Sequence, residues 1–102
     1  MTVVRKKPGE APEICQVENT LQALQEEVGG RIEVLQFATD CALICNEEGK
    51  LIPLEPNFTF CGAALFGTVL CVGVKGEEFC SLDQKMAEML CNWIGVRKTW
   101  VD

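Results

Sequence analysis

The period of apolar and polar positions changes several times along this chain, and each change marks an element. Thr2 to Lys6 has β-rich composition and stops at Pro8-Gly9, and Glu13 to Glu18 alternates polar with apolar, so the chain opens on a predicted hairpin. Asn19 then offers an N-cap with Gln22 three residues on. Leu21, Leu24 and Val28 fall at i, i+3 and i+7, which predicts a helix with one apolar stripe, terminated by Gly29. From Arg31 to Thr39 both faces of a strand carry apolar groups, Ile32 and Val34 on one and Leu35 and Phe37 on the other, as suits an interior position in a sheet. Cys41 to Asn46 is a second such strand. The turn Glu47-Glu48-Gly49-Lys50, with Gly49 expected at positive φ, leads into a brief strand from Leu51 to Leu54 that Glu55-Pro56-Asn57 breaks.

Phe58 to Gly67 fits neither period and reads as a loop with a short turn of helix, whereas Thr68 to Val74 is a continuous apolar strand. Ser81 is the expected N-cap of a last helix, with Gln84 completing a capping box and Asp83 near the positive end of the dipole. Met86, Met89, Leu90 and Trp93 form its apolar stripe and Gly95 its stop. The order is strand, strand, helix, three or four strands, helix. That predicts one α+β globular domain over residues 1–102, with an antiparallel or mixed sheet of about five strands and two helices packed on one face.

Charge changes the picture of partners. The net charge is −6, but five of the nine cations, Arg5, Lys6, Lys7, Arg97 and Lys98, sit at the two ends. Residues 8 to 96 hold fourteen carboxylates against Arg31, Lys50, Lys75 and Lys85, a net −10. Such a body repels nucleic-acid phosphates and is attracted to basic surfaces, so direct nucleic-acid binding is not expected. There is no run of eighteen apolar residues and no charged-then-apolar leader, which makes a cytoplasmic protein without a membrane segment the expectation.

The chemical inventory points away from catalysis. Histidine and tyrosine are absent, the single serine is taken up by the expected cap, and the paired carboxylates Glu26-Glu27, Glu47-Glu48 and Glu77-Glu78 do not face one another on a strand or a helix and read as solvated surface. No glycine-rich phosphate loop occurs. Seven cysteines, at 15, 41, 45, 61, 71, 80 and 91, raise the question of zinc, yet no Cys-x-x-Cys pair is present. Cys41 and Cys45 share a strand face at roughly 13 Å, too far apart for one metal. A site would need Cys61, Cys80 and Cys91 to converge. The simpler reading is that most are reduced thiols used as small core residues with no cofactor, Cys45 and Cys71 being among the slowest to react because each lies inside a continuous apolar strand.

Several blocks carry a resemblance: Asn19-Thr20-Leu21-Gln22, Val28-Gly29-Gly30-x-Ile32-Glu33-Val34, Leu43 through Leu51, Pro56-Asn57, Phe66-Gly67-Thr68 and Gly76-Glu77-Glu78-Phe79-x-Ser81-Leu82. With their spacing, the chain resembles a small family of phage, conjugative-transposon and Gram-positive bacterial proteins, the YodL-like domain of unknown function 3846. It departs in having Arg31 where an aromatic is usual, a shortened segment between Asn57 and Phe66, and Cys80 in place of the common threonine. The resemblance implies no catalytic residues. It implies an accessory or anti-defence role, by genomic setting rather than by chemistry.

Together these readings predict a non-enzymatic inhibitor of the anti-CRISPR kind that binds a basic host-defence nuclease through an acidic surface. Its contact candidates are Glu47, Glu48, Glu77, Glu78, Asp83 and the near-terminal aromatic Trp100. A small-molecule or nucleotide-signal binding module is the alternative, and a cysteine-ligated zinc structural module a second.

Overall fold

The computed structural model describes residues 1–49 and 51–95. The elements are β1 (Thr2–Lys6), β2 (Glu13–Gln16), α1 (Leu21–Val28), β3 (Ile32–Gln36), β4 (Cys41–Asn46), β5 (Pro56–Phe60), β6 (Ala63–Phe66), β7 (Val69–Lys75), β8 (Glu78–Cys80) and α2 (Gln84–Gly95). The α+β class and the antiparallel sheet are as expected. The order across the sheet is β2-β1-β7-β4-β3, and β8 joins β7 as a sixth strand. Gly73 lies opposite Cys41 of β4 on one side and Cys80 of β8 on the other, while Leu70 and Cys71 lie between β4 and β1. β7 is therefore the central strand, with β1 and β8 sharing one of its edges.

Alternation along β4 sets the layers. Cys41, Leu43 and Cys45 point into a cluster with Val4, Cys71, Phe58 and the α2 residues Ala87, Leu90 and Ile94. Ala42 and Ile44 point the other way, toward Val3, Leu70, Val72 and the α1 residues Leu24 and Val28. The helices thus cover opposite faces rather than one. The reason lies in β4 and β7, whose apolar residues face both ways. With both helices on one side, Ile44, Leu70 and Val72 would each forgo about 1.5–3 kcal/mol of burial.

Other local differences have equally local causes. β3 is an edge strand, not an interior one: its apolar residues on both faces are covered only in part, and Val34 remains 42 % exposed. Residues 51–53 turn rather than extend, with the Leu51 and Ile52 amides donating to the Glu48 carbonyl. Gly49 has no positive φ; a Cβ there would lie 3.2 Å from Phe66 Cβ, so the constraint is space. Phe58 to Gly67 holds the β5–β6 hairpin. Its two loop residues, Cys61 and Gly62, both have positive φ (48° and 79°), the signature of a type I′ turn hidden by an unusual residue in its first position.

Both helix starts also move. Thr20, not Asn19, caps α1, its hydroxyl accepting from the Ala23 amide at 3.1 Å, while Asn19 donates to the Phe79 carbonyl of β8. Gly29 ends α1 at φ 80°, as expected. Asp83, not Ser81, caps α2: its carboxylate accepts from the Met86 amide at 2.7 Å, and the Ser81 hydroxyl instead accepts from the Thr2 amide. One residue from each expected apolar stripe is exposed, Leu21 at 59 % and Met89 at 56 %. α2 runs through Gly95, so any stop lies outside the described residues.

Glu27 corrects the reading of Glu26-Glu27 as solvated surface. Arg5, on the α1 face of β1, holds it bidentately, Nε to Oε1 at 2.7 Å and Nη2 to Oε2 at 2.8 Å, and reaches Glu13 with Nη1 at 2.9 Å. These carboxylates, Glu27 first, raise the guanidinium pKa further against the opposing effect of burial. Glu27→Ala is expected to cost about 1–2 kcal/mol, because it orphans a partly buried cation that ties α1 to the sheet. A urea midpoint equal to that of the parent chain would show that the pair contributes nothing.

Candidate functional site

The acidic residues singled out from the sequence do not form one surface. Glu47 and Glu48 are exposed in the turn after β4, whereas Glu77 and Glu78 are exposed at the β7–β8 loop. β4 and β7 are antiparallel, with Ile44 opposite Leu70 and Cys41 opposite Gly73, so the end of β4 that leads to Glu47 is remote from the end of β7 that leads to Glu77. The two pairs lie at opposite ends of the sheet. Trp100 lies outside the described residues.

Each end has its own concavity and carboxylates that sequence reasoning missed. At the first, Glu33 of β3 joins Glu47 in a cleft of about 290 Å³ floored by Cys45, Ala64 and Phe66. Strand pairing puts Glu33 opposite Cys45, whose thiol donates to its Oε1 at 3.8 Å. Arg31 approaches Glu47 at 3.7 Å, with both side chains largely in solvent, so the pair neutralises little. At the second end, Asp40 and Asp83 line a cleft of about 250 Å³ with Lys75, Cys41 and Cys80. Asp83 is partly committed there as the α2 cap.

A third concavity, of about 480 Å³, is the most apolar of these three. It lies between β3 and the β5–β6 hairpin and is lined by Val34, Leu35, Phe37, Phe60, Cys61 and Ala63. Its floor belongs to an aromatic group: Phe37 meets Phe60 edge-on at 5.3 Å, Phe60 meets Trp93 of α2 edge-on at 5.4 Å, and Phe37 stacks near Trp93 at 6.3 Å. No sequence signal announced it, because it depends on a hairpin that the pattern did not reveal.

The buried polar groups form knots rather than open sites. Lys6 Nζ donates to the Lys7 carbonyl at 2.8 Å and to Asn57 Oδ1 at 3.1 Å, and burial lowers its pKa. Asn57 Nδ2 in turn donates to the carbonyls of Lys6 and Gly67. Asn46 holds the end of α1, donating to the Val28 carbonyl at 3.1 Å while accepting from the Glu48 amide. These contacts fasten β1, β5 and the β6–β7 link, and α1 to β4.

Burial holds five of the seven thiols in their protonated form. Burial, reinforced by neighbouring carboxylates, pushes Cys41 and Cys45 up to about 11, and burial raises Cys71, Cys15 and Cys91 as well. Cys61 is exposed at the hairpin tip, and Cys80 and Cys91 are half-buried on β8 and α2. Among the described residues no three cysteine or carboxylate side chains are grouped to hold a metal ion. In the folded protein Cys61 is expected to react first with a thiol reagent, and Cys41, Cys45 and Cys71 only as fast as the chain unfolds. Rapid labelling of all seven without denaturant would contradict this burial.

No described helix is long and apolar enough to cross a membrane. The sequence model of a family described as Domain of unknown function (DUF3846) matches residues 1–94. Neither the curated proteins nor the solved structures contain a match.

Proposed function

We propose that this chain, which belongs to the DUF3846 family, acts by binding: a non-enzymatic accessory protein of a phage or mobile element whose acidic body occupies a basic, nucleic-acid-binding surface of a host defence nuclease. The observation that carries the reading is the distribution of charge. The body of the chain is strongly acidic, and the structure leaves Glu47, Glu48, Glu77, Glu78 and Asp83 all exposed at the two ends of the sheet. Arg5 offsets none of these five, because it is engaged by Glu13 and Glu27. Exposed carboxylates of one sign accelerate encounter with a basic surface and make it depend on salt.

The scarcity of general bases and the raised thiol pKa values agree with binding rather than chemistry. A nucleotide-signal module is less favoured, because the two acidic clefts, at about 290 and 250 Å³, are small for such a ligand and lined by carboxylates.

The test pairs purified protein with candidate basic nucleases, measuring association rate at low and high salt and then guide or DNA loading. Association should slow several-fold with salt, and loading should fall. Charge removal at one end, Glu47→Gln with Glu48→Gln, compared with the other, Glu77→Gln with Glu78→Gln, identifies the end in use. Salt-independent binding, or loading that is unaffected, would rule the acidic mimic out.

A further inference from the structure

The outer edge of the sheet at β3 is open, and its hydrogen-bonding pattern can be read from its neighbours. The Val74 amide donates to the Asp40 carbonyl, so Ala42 and Ile44 bond toward β7, leaving Leu43 and Cys45 to bond toward β3. Their partners Leu35 and Glu33 therefore face β4. The bond from the Glu47 amide to the Arg31 carbonyl, two residues back, gives the same phase independently. The N–H and C=O groups of Ile32, Val34 and Gln36 consequently point away from the sheet, and among the described residues no strand pairs with them. β3 contains no proline, no lysine and no bulge, and Glu33 is its one charge, so the edge is only lightly guarded.

The side chains beside this edge vary in character along it. On the α2 side, β3 presents Glu33, then Leu35, and then Phe37 just beyond the strand. Glu33 adjoins the acidic cleft shared with Glu47, and Leu35 and Phe37 adjoin the apolar groove closed by Phe60 and Ala63. Alternate residues of a strand are about 6.8 Å apart on one face, so a strand laid along β3 would set successive inward side chains over a carboxylate pair and over an aromatic floor.

We propose that β3 is a strand-addition site that takes an extended segment of a partner protein, antiparallel to β3, with an apolar residue over the Phe37–Phe60 groove and a lysine or arginine two residues later over Glu33 and Glu47. The occupant is fixed by three features: unpaired backbone groups that only an extended chain satisfies, apolar volume at one end, and negative charge at the other. The proposal rests on the reading of this protein as a binder of basic partners and names the shape such a partner presents.

The probe is a capped nine-residue peptide alternating threonine with phenylalanine and lysine in that order, titrated into isotopically labelled protein. Amide shifts should concentrate in β3, the β5–β6 hairpin and the turn at Glu47. N-methylation of the peptide's edge-facing amides should weaken binding about tenfold, and reversing the order of phenylalanine and lysine should weaken it several-fold. Val34→Pro is the decisive variant, because the Val34 N–H points outward and its loss leaves the β4 ladder intact. It should abolish peptide binding with the urea midpoint of the parent retained, and Val34→Lys should act likewise.

Shifts that survive Val34→Pro overturn the proposal, as does the absence of binding by any of the peptides. Concentration-dependent dimerisation lost in Val34→Pro would make a second copy the occupant instead. Binding gained only when residues 96–102 are deleted would make it the chain's own terminus. If Val34→Pro still binds a basic nuclease with salt dependence while the peptides fail, the strand-addition site is wrong and the acidic-surface reading stands.

Discussion

Asn57→Ala is expected to lower the folding free energy by about 3–5 kcal/mol, a large part of the roughly 5–15 kcal/mol that holds a domain of this size. Asn57 is 1 % exposed, and its amide uses every hydrogen-bonding direction that matters: Nδ2 donates to the Lys6 carbonyl at 2.8 Å and the Gly67 carbonyl at 2.7 Å, while Oδ1 accepts from Lys6 Nζ at 3.1 Å. Alanine removes a donor from two carbonyls and takes one partner from a buried ammonium, and each such loss costs up to about 1–3 kcal/mol. Asn57→Asp is no remedy, since a carboxylate would face the same two carbonyls without a donor. Combining Asn57→Ala with Lys6→Met should cost less than the sum of the single changes, because no ammonium then remains to miss its Asn57 partner. Urea unfolding of the four chains measures this, and a loss below about 1 kcal/mol for Asn57→Ala would show that the knot is not a fastening.

Alkaline pH should be nearly as damaging. The ordinary thiol value is 9.0, and the folded chain holds Cys41 and Cys45 up to about 11, mainly by burial, with Asp40 and Glu33 adding to it. The folded state thus keeps protons that the unfolded chain releases. The stability contributed by these groups is complete below pH 9 and is lost between pH 9 and 11, about 2 kcal/mol for each of the two by the upper limit. Cys71, Cys15 and Cys91 move in the same direction. Lys6 opposes them: its lowered folded value returns some stability as pH approaches 10.5, but it is one amine against five thiols. Urea midpoints should fall steadily above about pH 9, and Cys41→Ala with Cys45→Ala should flatten that fall. A midpoint that holds or rises through this range would refute the thiol assignment.

What the sequence disclosed, and what it concealed, follows from how local the determining interaction was. α1 with its Gly29 end, β4 and β7 were legible because a cap, a left-handed glycine or a continuous apolar run acts within a few residues. β3 looked interior because its apolar residues alternate over both faces, yet its position at the edge is decided by β4 pairing with β7, a contact no short window contains. The β5–β6 hairpin was concealed by Cys61, which occupies a positive-φ position that asparagine or glycine would have advertised. Ser81 read as the cap of α2, but the Thr2 amide, a distant group, claims its hydroxyl, and Asp83 caps the helix instead. The same holds for the surface: Glu47, Glu48, Glu77, Glu78 and Asp83 were visible as charges, but their division between two ends, and the addition of Glu33 and Asp40, needed the sheet.

The central place of β7 has a consequence for how the protein comes into being. Val4 lies opposite Cys71, and Ile44 opposite Leu70, so both halves of the sheet wait for a strand made late in synthesis. Until then the growing chain can form β1 with β2 and β3 with β4, each pair carrying apolar residues that have nothing to rest on. Pairing across such long stretches of sequence is slow, in the millisecond-to-second range, and the interval leaves strand edges open to other chains. A chain that ends before Val69 would hold three hairpins and no sheet to join them. It should be recovered as aggregate or as fragments, whereas loss of the residues after Gly95 leaves every strand pairing described here intact.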